Sequence, residues 1–511
     1  MKILFEISEL SFPYLVEVCK ILKKKKIKPI LYYKKKRLSP INEKLYNDNK
    51  NFNIPLFFKK NTQNKSRKKI DYRYLAYLEK FILKDKSIWE IISYDRVLGR
   101  GYIKDIVGYD SKYIIEKDEI LIDVINNAKR IELLLRKLKP NFFCAPTCIA
   151  SANAMLFYYF CKFYKINFIT PITSRFQNYF YLADNLFYNN SKIKENYLLL
   201  KNKKNKDLEV EKLYKKIIST KTLSSDTKKT QEDIKNLNSE NFSKYIDLIK
   251  FIIKHTIFAV LYKLGYNAKT VQNYEEYPFF QPIYEKTKKL TSLIFLKKIK
   301  YQNSLDTKFI YFPLHVIPEY STQVVGNKFM DQLYLIEILS KNIPVGYKLL
   351  IKEHPSMLES HARTISFYQT LMKFPNVELI DFRLSGKKIV EKAQLVIIID
   401  GSSAVEAIIA GTPVLTMVPF IYDFLELSIE NSDVEKLNQD IKNALLIKKK
   451  ITKEERKLKI KKLLKSILGI SYNMRNPEIF YYTDKNPNSL KAQKIREVAE
   501  DYSIALMQKL K

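Results

Sequence analysis

The chain has 511 residues, of which 90 are Lys or Arg and 54 are Asp or Glu, giving a formal charge of +36; 46% are hydrophobic and 13% aromatic. That apolar content excludes a disordered chain and suffices for two or three domains. The positive excess is mostly Lys, is spread along the chain and comes with abundant Asn, Ile, Tyr and Phe but only 10 Gly. This is the drift of AT-rich coding rather than a nucleic-acid footprint, so no nucleic-acid partner is expected.

The N-terminal run Met1–Glu6 is too short for a signal peptide. No window approaches about eighteen uncharged apolar residues, so no spanning helix is expected. These features suggest a cytoplasmic protein, with room for a peripheral place at the inner face of the cytoplasmic membrane. Cys19, Cys144, Cys148 and Cys161 have no zinc-site spacing and read as reduced, buried thiols. No metal site and no cofactor are expected.

Residues 2–7 read as a strand, 12–25 as an amphipathic helix and 28–33 as a second strand, a β-α-β opening without the glycine fingerprint of a dinucleotide site. Residues 34–70 are polar and read as loop. Helical patterns follow at 72–92, 118–138 and 152–164, with strands at 141–145 and 167–171. Asp95-Arg96 and Ser174-Arg175 fall in loops between them. Residues 201–243 are poor in apolar side chains and read as an exposed, partly disordered insertion. The pieces 245–266 and 288–300 are apolar and basic. They fit either an anionic membrane surface or a bridge between domains.

A second alternating unit spans 307–430, with strands at 308–312, 347–352, 377–380, 395–399 and 413–416, and helices near 328–339, 358–374 and 386–393. The pattern predicts an α/β fold with two facing Rossmann-like domains (GT-B-like), a helical, partly disordered insertion and a C-terminal helical tail. The expected boundaries are 1–190, 191–304, 305–430 and 431–511.

The densest chemical signal is Leu395–Thr416. Five apolar residues lead into Asp400-Gly401-Ser402-Ser403. Ser403 with Glu406 has capping-box spacing, and Gly411 and Pro413 end the helix. A helix N-terminus at the carboxyl edge of a parallel sheet is an anion site. The strand at 347–352 ends in Lys352-Glu353-His354-Pro355, which brings a cation and an imidazole to the same edge. The strand at 308–312 leads into a loop carrying His315, Glu319, Ser321 and Thr322, suited to contact the base, ribose or sugar of a donor. Together these groups could neutralise a departing phosphate without a metal.

The runs Tyr311-Phe312-Pro313-Leu314-His315 with Pro318-Glu319, Lys352-Glu353-His354-Pro355, and Gly401-Ser402-Ser403 through Glu406-Ala407 to Gly411-Thr412-Pro413-Val414 resemble the capsular and surface polysaccharide biosynthesis proteins, including the Kdo transferases of capsule export. These are similar in plan to GT-B glycosyltransferases, teichoic-acid glycerophosphotransferases and UDP-GlcNAc 2-epimerases. The resemblance is best over 305–420 and weaker over 90–185. It implies a transferase moving a sugar from a nucleotide-sugar to a lipid-linked or oligosaccharide acceptor. By motif match, His315, Lys352, His354, Ser402, Ser403 and Glu406 would line the donor site, with His354 also a catalytic candidate. Glu9 and Asp95 are the candidate general bases, and Arg96 and Arg175 stand on the acceptor side. An epimerase or glycerophosphotransferase on the same scaffold is one alternative, and a non-catalytic binder of anionic polymer is another.

Overall fold

A computed structural model of the chain describes residues 1–8, 11–33, 38–58, 69–99, 117–146, 150–187, 191–200, 207–219, 243–263, 280–299, 301, 305–360, 362–431, 433–477 and 492–510. Thirteen strands form two sheets among these residues. The first sheet takes β1 (Lys2–Ile7), β2 (Lys28–Tyr33), β3 (Leu56–Phe58), β4 (Phe142–Cys144), β5 (Asn167–Thr173) and β6 (Tyr179–Ala183), ordered 3-2-1-4-5-6. Strands β1 to β5 are parallel, and β6 returns antiparallel to β5. The second sheet takes β7 (Phe309–Pro313), β8 (Lys348–Lys352), β9 (Val377–Ile380), β10 (Leu395–Ile398), β11 (Val414–Thr416) and β12 (Ser428–Glu430), all parallel, ordered 12-11-10-7-8-9. Strand β13 (Tyr472–Asn473) crosses back to pair with β6. The fold is therefore α/β with two Rossmann-like domains.

The apolar runs explain the sheets. The four residues of β10 are all buried, as a strand covered by helices on both faces must be. Successive residues of β8 alternate between two cores: Leu350 packs with helices 386–392 and 402–410, while Leu349 and Ile351 pack with 332–342 and 365–371. The domains also share cores. Tyr320 and Val324 of the second half pack into the cluster around Leu4, Tyr32 and Phe157. Helix 492–509 lies on helix 12–24, burying Val498, Tyr502 and Leu506 beside Phe5 and Leu15.

Several expectations are corrected. Residues 34–70 include a helix at Pro40–Asp48, with Ser39 as N-cap accepting from Asn42 N at 3.4 Å, and edge strand β3. The Ser-Pro pair at 39–40 is the start signal the reading passed over. Within 201–243, Leu208–Ser219 is a packed helix that buries Val210, Leu213 and Ile217 against Ile460, Leu463 and Leu464 of helix 453–468. The expected helix at 358–374 is two pieces, Pro355–Ser360 and Ile365–Leu371, with Thr364 capping the second. Cys19, Cys144 and Cys161 are buried free thiols; Cys148 lies outside the described residues.

Candidate functional site

In the second sheet β7 and β10 are neighbours, yet the chain leaves β7 toward β8 and β9 and leaves β10 toward β11 and β12. The two following loops diverge there, at the carboxyl-edge switch point where doubly wound sheets carry a ligand crevice. Three side chains or turns meet in it. A Cβ built on Gly401 would lie 4.0 Å from His315 Nε2 and 4.0 Å from Arg175 Nη1.

The β10 turn sets the geometry. Gly401 has φ 152° and ψ 176°, a region that essentially only glycine occupies, and it is the N-cap of the helix Ser402–Ala410. No side chain caps that helix. Its first-turn N–H groups therefore open onto the crevice with the positive end of the dipole. This corrects the expected capping box. The helix starts two residues earlier than an N-cap at Ser403 would place it, which puts Glu406 in the second turn, beyond the position from which a carboxylate can reach back. The C-terminal expectation stands: Gly411 takes φ 82°, and Thr412 N donates to Ala407 O at 2.9 Å.

His315 follows β7. Its backbone is held on both sides: His315 N donates to Gln332 Oε1 at 2.9 Å, and its carbonyl accepts from Gln332 Nε2 at 3.2 Å and Arg363 Nη2 at 2.7 Å. The ring is 8% exposed, and neither nitrogen has a well-formed hydrogen bond. Burial lowers its pKa to about 4, with the backbone of Asp400 acting in the opposite sense and Arg363 and Arg175 adding to the lowering. A neutral, buried, under-satisfied imidazole thus lies beside an open helix end, an arrangement a ligand could complete.

Glu353 and Arg363, which the sequence reading did not single out, build the floor of this region. Arg363 Nη1 lies 2.7 Å from both carboxylate oxygens of Glu353, and Tyr368 Oη donates to Glu353 Oε2 at 2.6 Å. Arg363 is fully buried and Glu353 nearly so. Their bond joins residues ten apart across the short helix Pro355–Ser360, so no local pattern announces it. Glu353 Oε1 also accepts from His354 N at 2.6 Å, and His354 Nδ1 accepts from Ser356 N at 3.2 Å. His354 thus stands half-buried at the end of β8, its ring fixed by the turn that Pro355 begins.

Lys352 and Glu406 form a second pair of groups at the same edge. Burial lowers Lys352 to about 8, offset by Glu353, Glu406 and Asp381. Burial raises Glu406 to about 7, offset by Lys352 and Lys387. Lys352 is 7% exposed, a cation largely stripped of water and well placed to gain from an anion. Ser402 and Ser403, in the first turn of the helix, are half-buried.

Arg175 comes from the first domain. Its backbone is in the left-handed region, φ 63°, after β5. Nη2 reaches Asp400 Oδ2 at 2.7 Å, both side chains being more than nine-tenths buried. Tyr422 Oη donates to Ser174 O from the second domain. Arg175, read as acceptor-side, is thereby brought to the donor-side turn. Asp95 accepts from Val97 N, Leu98 N and Ala152 N at 2.8, 3.0 and 2.9 Å. It caps the helix Ala152–Phe163 from a distance, a role that engages both oxygens. Arg96 is exposed, its N–H bonded to Ala150 O. Glu319 is bound within its own loop, accepting from Ser321 Oγ at 3.3 Å. Glu9 lies outside the described residues.

No protein-family model matches the chain, and no curated protein does. Solved structures with a related course of chain include the β-Kdo 2,7 transferase KpsC of Thermosulfurimonas dismutans (12% identity over 76% of this chain and 96% of that one, TM-score 0.32). The Neisseria meningitidis UDP-GlcNAc 2-epimerase solved with UDP-GlcNAc is 13% identical over 99% of this chain and 100% of that one, at TM-score 0.26. The calicheamicin glycosyltransferase CalG4 is 10% identical over 92% and 94%, at TM-score 0.24. At such scores these likenesses carry no argument about chemistry. The crevice has to carry it.

Proposed function

We propose that the chain is a glycosyltransferase that takes a sugar from a nucleotide-sugar and passes it to a lipid-linked or oligosaccharide acceptor in surface-polysaccharide synthesis. The observation that carries this reading is the convergence at Gly401: an uncapped helix N-terminus, the under-satisfied His315 imidazole and the Arg175 guanidinium. The helix end favours an anion and the two side chains offer N–H donors to it, where doubly wound sheets hold nucleotides. As the bond between sugar and phosphate breaks, charge develops on the leaving phosphate oxygens. The helix end and Arg175 are fixed in advance to meet it, with Lys352 on the next strand, so little reorganisation is required and no metal is invoked. In this reading His315 and His354 would contact the same phosphate. The Glu319 loop would contact the base or ribose. The proton of the acceptor hydroxyl would go to a carboxylate of the first domain. Glu9 is the better candidate, since both oxygens of Asp95 are already engaged. A lipid-linked acceptor would be met at the inner face of the cytoplasmic membrane.

The test is calorimetric and thermal-shift titration with UDP, CMP, CDP and their sugar or glycerol conjugates, followed by turnover with and without a lipid-linked acceptor. One nucleotide class at about a hundred times its Kd should stabilise the protein by roughly 2.7 kcal/mol. His315→Ala and Gly401→Ala should each abolish that shift. Nucleotide released only in the presence of acceptor supports transfer. Release without acceptor, accompanied by an epimerised sugar, would overturn it in favour of an epimerase.

A further inference from the structure

The helix Ser243–Lys263 has two apolar faces, and only one of them is packed among the described residues. Phe251 and His255 stack at 3.7 Å between ring centroids, and Lys286 of the neighbouring helix Phe280–Lys298 sits 4.0 Å from the Phe251 ring. The opposite face carries Ile246, Ile249, Ile253, Ile257 and Val260, which are 37%, 57%, 54%, 54% and 52% exposed. At 3.6 residues per turn these five fall within an arc of about 80° and run for about 21 Å along the axis. Lys250 and Lys254, both exposed, border the stripe on one side. Burying a row of isoleucines is favourable, and leaving one in water is not.

We infer that this stripe is a docking surface for an anionic lipid bilayer, with the helix lying in the plane of the interface and its lysines among the headgroups. The whole chain carries +36, so a negatively charged surface attracts it while a second copy of the chain repels it. That asymmetry selects the bilayer over self-association as the occupant. An apolar stripe edged by lysines also matches the chemistry of an interfacial helix, in which side chains enter the acyl boundary and ammonium groups meet phosphate. No helix among the described residues is long and apolar enough to cross a membrane, so the contact would be peripheral. The inference does not depend on the nucleotide-sugar reading.

The test is co-sedimentation of the full chain with phosphatidylcholine vesicles, with and without about one third phosphatidylglycerol. The double variant Ile249→Asp/Ile253→Asp and the pair Lys250→Glu/Lys254→Glu run alongside, with sedimentation velocity of each protein. The wild type should partition onto the anionic vesicles far more than onto the neutral ones, and less as salt rises from about 0.1 to about 0.5 M. The isoleucine variant should lose roughly tenfold or more in partitioning while unfolding at the same temperature and keeping its nucleotide response. Absence of binding, binding indifferent to headgroup charge, or binding unchanged in the isoleucine variant would each refute the surface. A wild-type dimer dissociated by Ile249→Asp/Ile253→Asp would refute it in favour of a second copy. A lost nucleotide response with vesicle binding intact would concern the crevice alone.

Discussion

His315 combines a fixed backbone with a buried ring. Its main chain is clamped by Gln332 and Arg363, while its ring is buried without a well-formed partner. The consequence for pH has a definite sign. The folded imidazole titrates near 4, and the unfolded one near 6.5. Between those values the unfolded chain binds more protons, so stability must fall as the solution is acidified from about pH 6.5 toward 4, by up to roughly 3 kcal/mol. Glu406 works the other way, because its folded carboxyl holds a proton up to about pH 7. The imidazole's part is therefore read as a difference between wild type and His315→Gln in urea unfolding at several pH values. The wild type should lose more stability across that window than the variant. Parallel curves would mean that the ring is solvated in the folded protein.

At the scale of elements, the loops after β7 and β8 are tied to each other by Glu353 and Arg363. Arg363 bonds Glu353 twice and the carbonyl of His315 once, so one guanidinium ties two strand ends together. Both groups are inaccessible to water, and removing one leaves the other charged and uncompensated. Arg363→Ala should cost about 3–5 kcal/mol in denaturant unfolding. Arg363→Ala combined with Glu353→Leu should cost clearly less than the two single changes added together. Strict additivity would show that the pair is not coupled. The same scale explains the capping error. Ser403 and Glu406 have the right spacing for a capping box, but Gly401 turns the backbone so that the helix begins at Ser402. The helix N-terminus is left without a side-chain cap.

For the whole molecule, the relation between the two halves depends on a few polar contacts set in shared apolar cores. Arg175 to Asp400 and Tyr422 Oη to Ser174 O are buried; Gln323 Nε2 to Asp95 O at 3.0 Å and Asn327 Nδ2 to Ser93 Oγ at 2.9 Å are others. Arg175→Ala would strand the Asp400 carboxylate and should destabilise the protein by about 3–5 kcal/mol. Arg175→Ala with Asp400→Asn should recover most of that stability, measured by thermal unfolding, yet still bind nucleotide at least about tenfold more weakly by calorimetry. Full recovery of affinity in the double variant would mean that Arg175 serves only to join the domains. Asp95 belongs to this scale too. In the sequence it is one carboxylate beside an arginine, but in the fold it caps a helix that starts 57 residues later.

The sequence by itself determined the alternation of apolar runs and helical faces, and with it two parallel sheets. It also marked the turns at Gly401, Gly411 and Pro355, because strand burial and backbone permissiveness are written in residue type. It did not show edge strand β3, the return of β13 to β6, or the packed helix at 208–219, since each is stabilised by partners far along the chain. Only the tertiary structure decided that Arg175 crosses to Asp400, that Glu353 is tied to Arg363 and that His315 is left under-satisfied. Those outcomes depend on desolvation, and desolvation belongs to the assembled core rather than to any stretch of sequence.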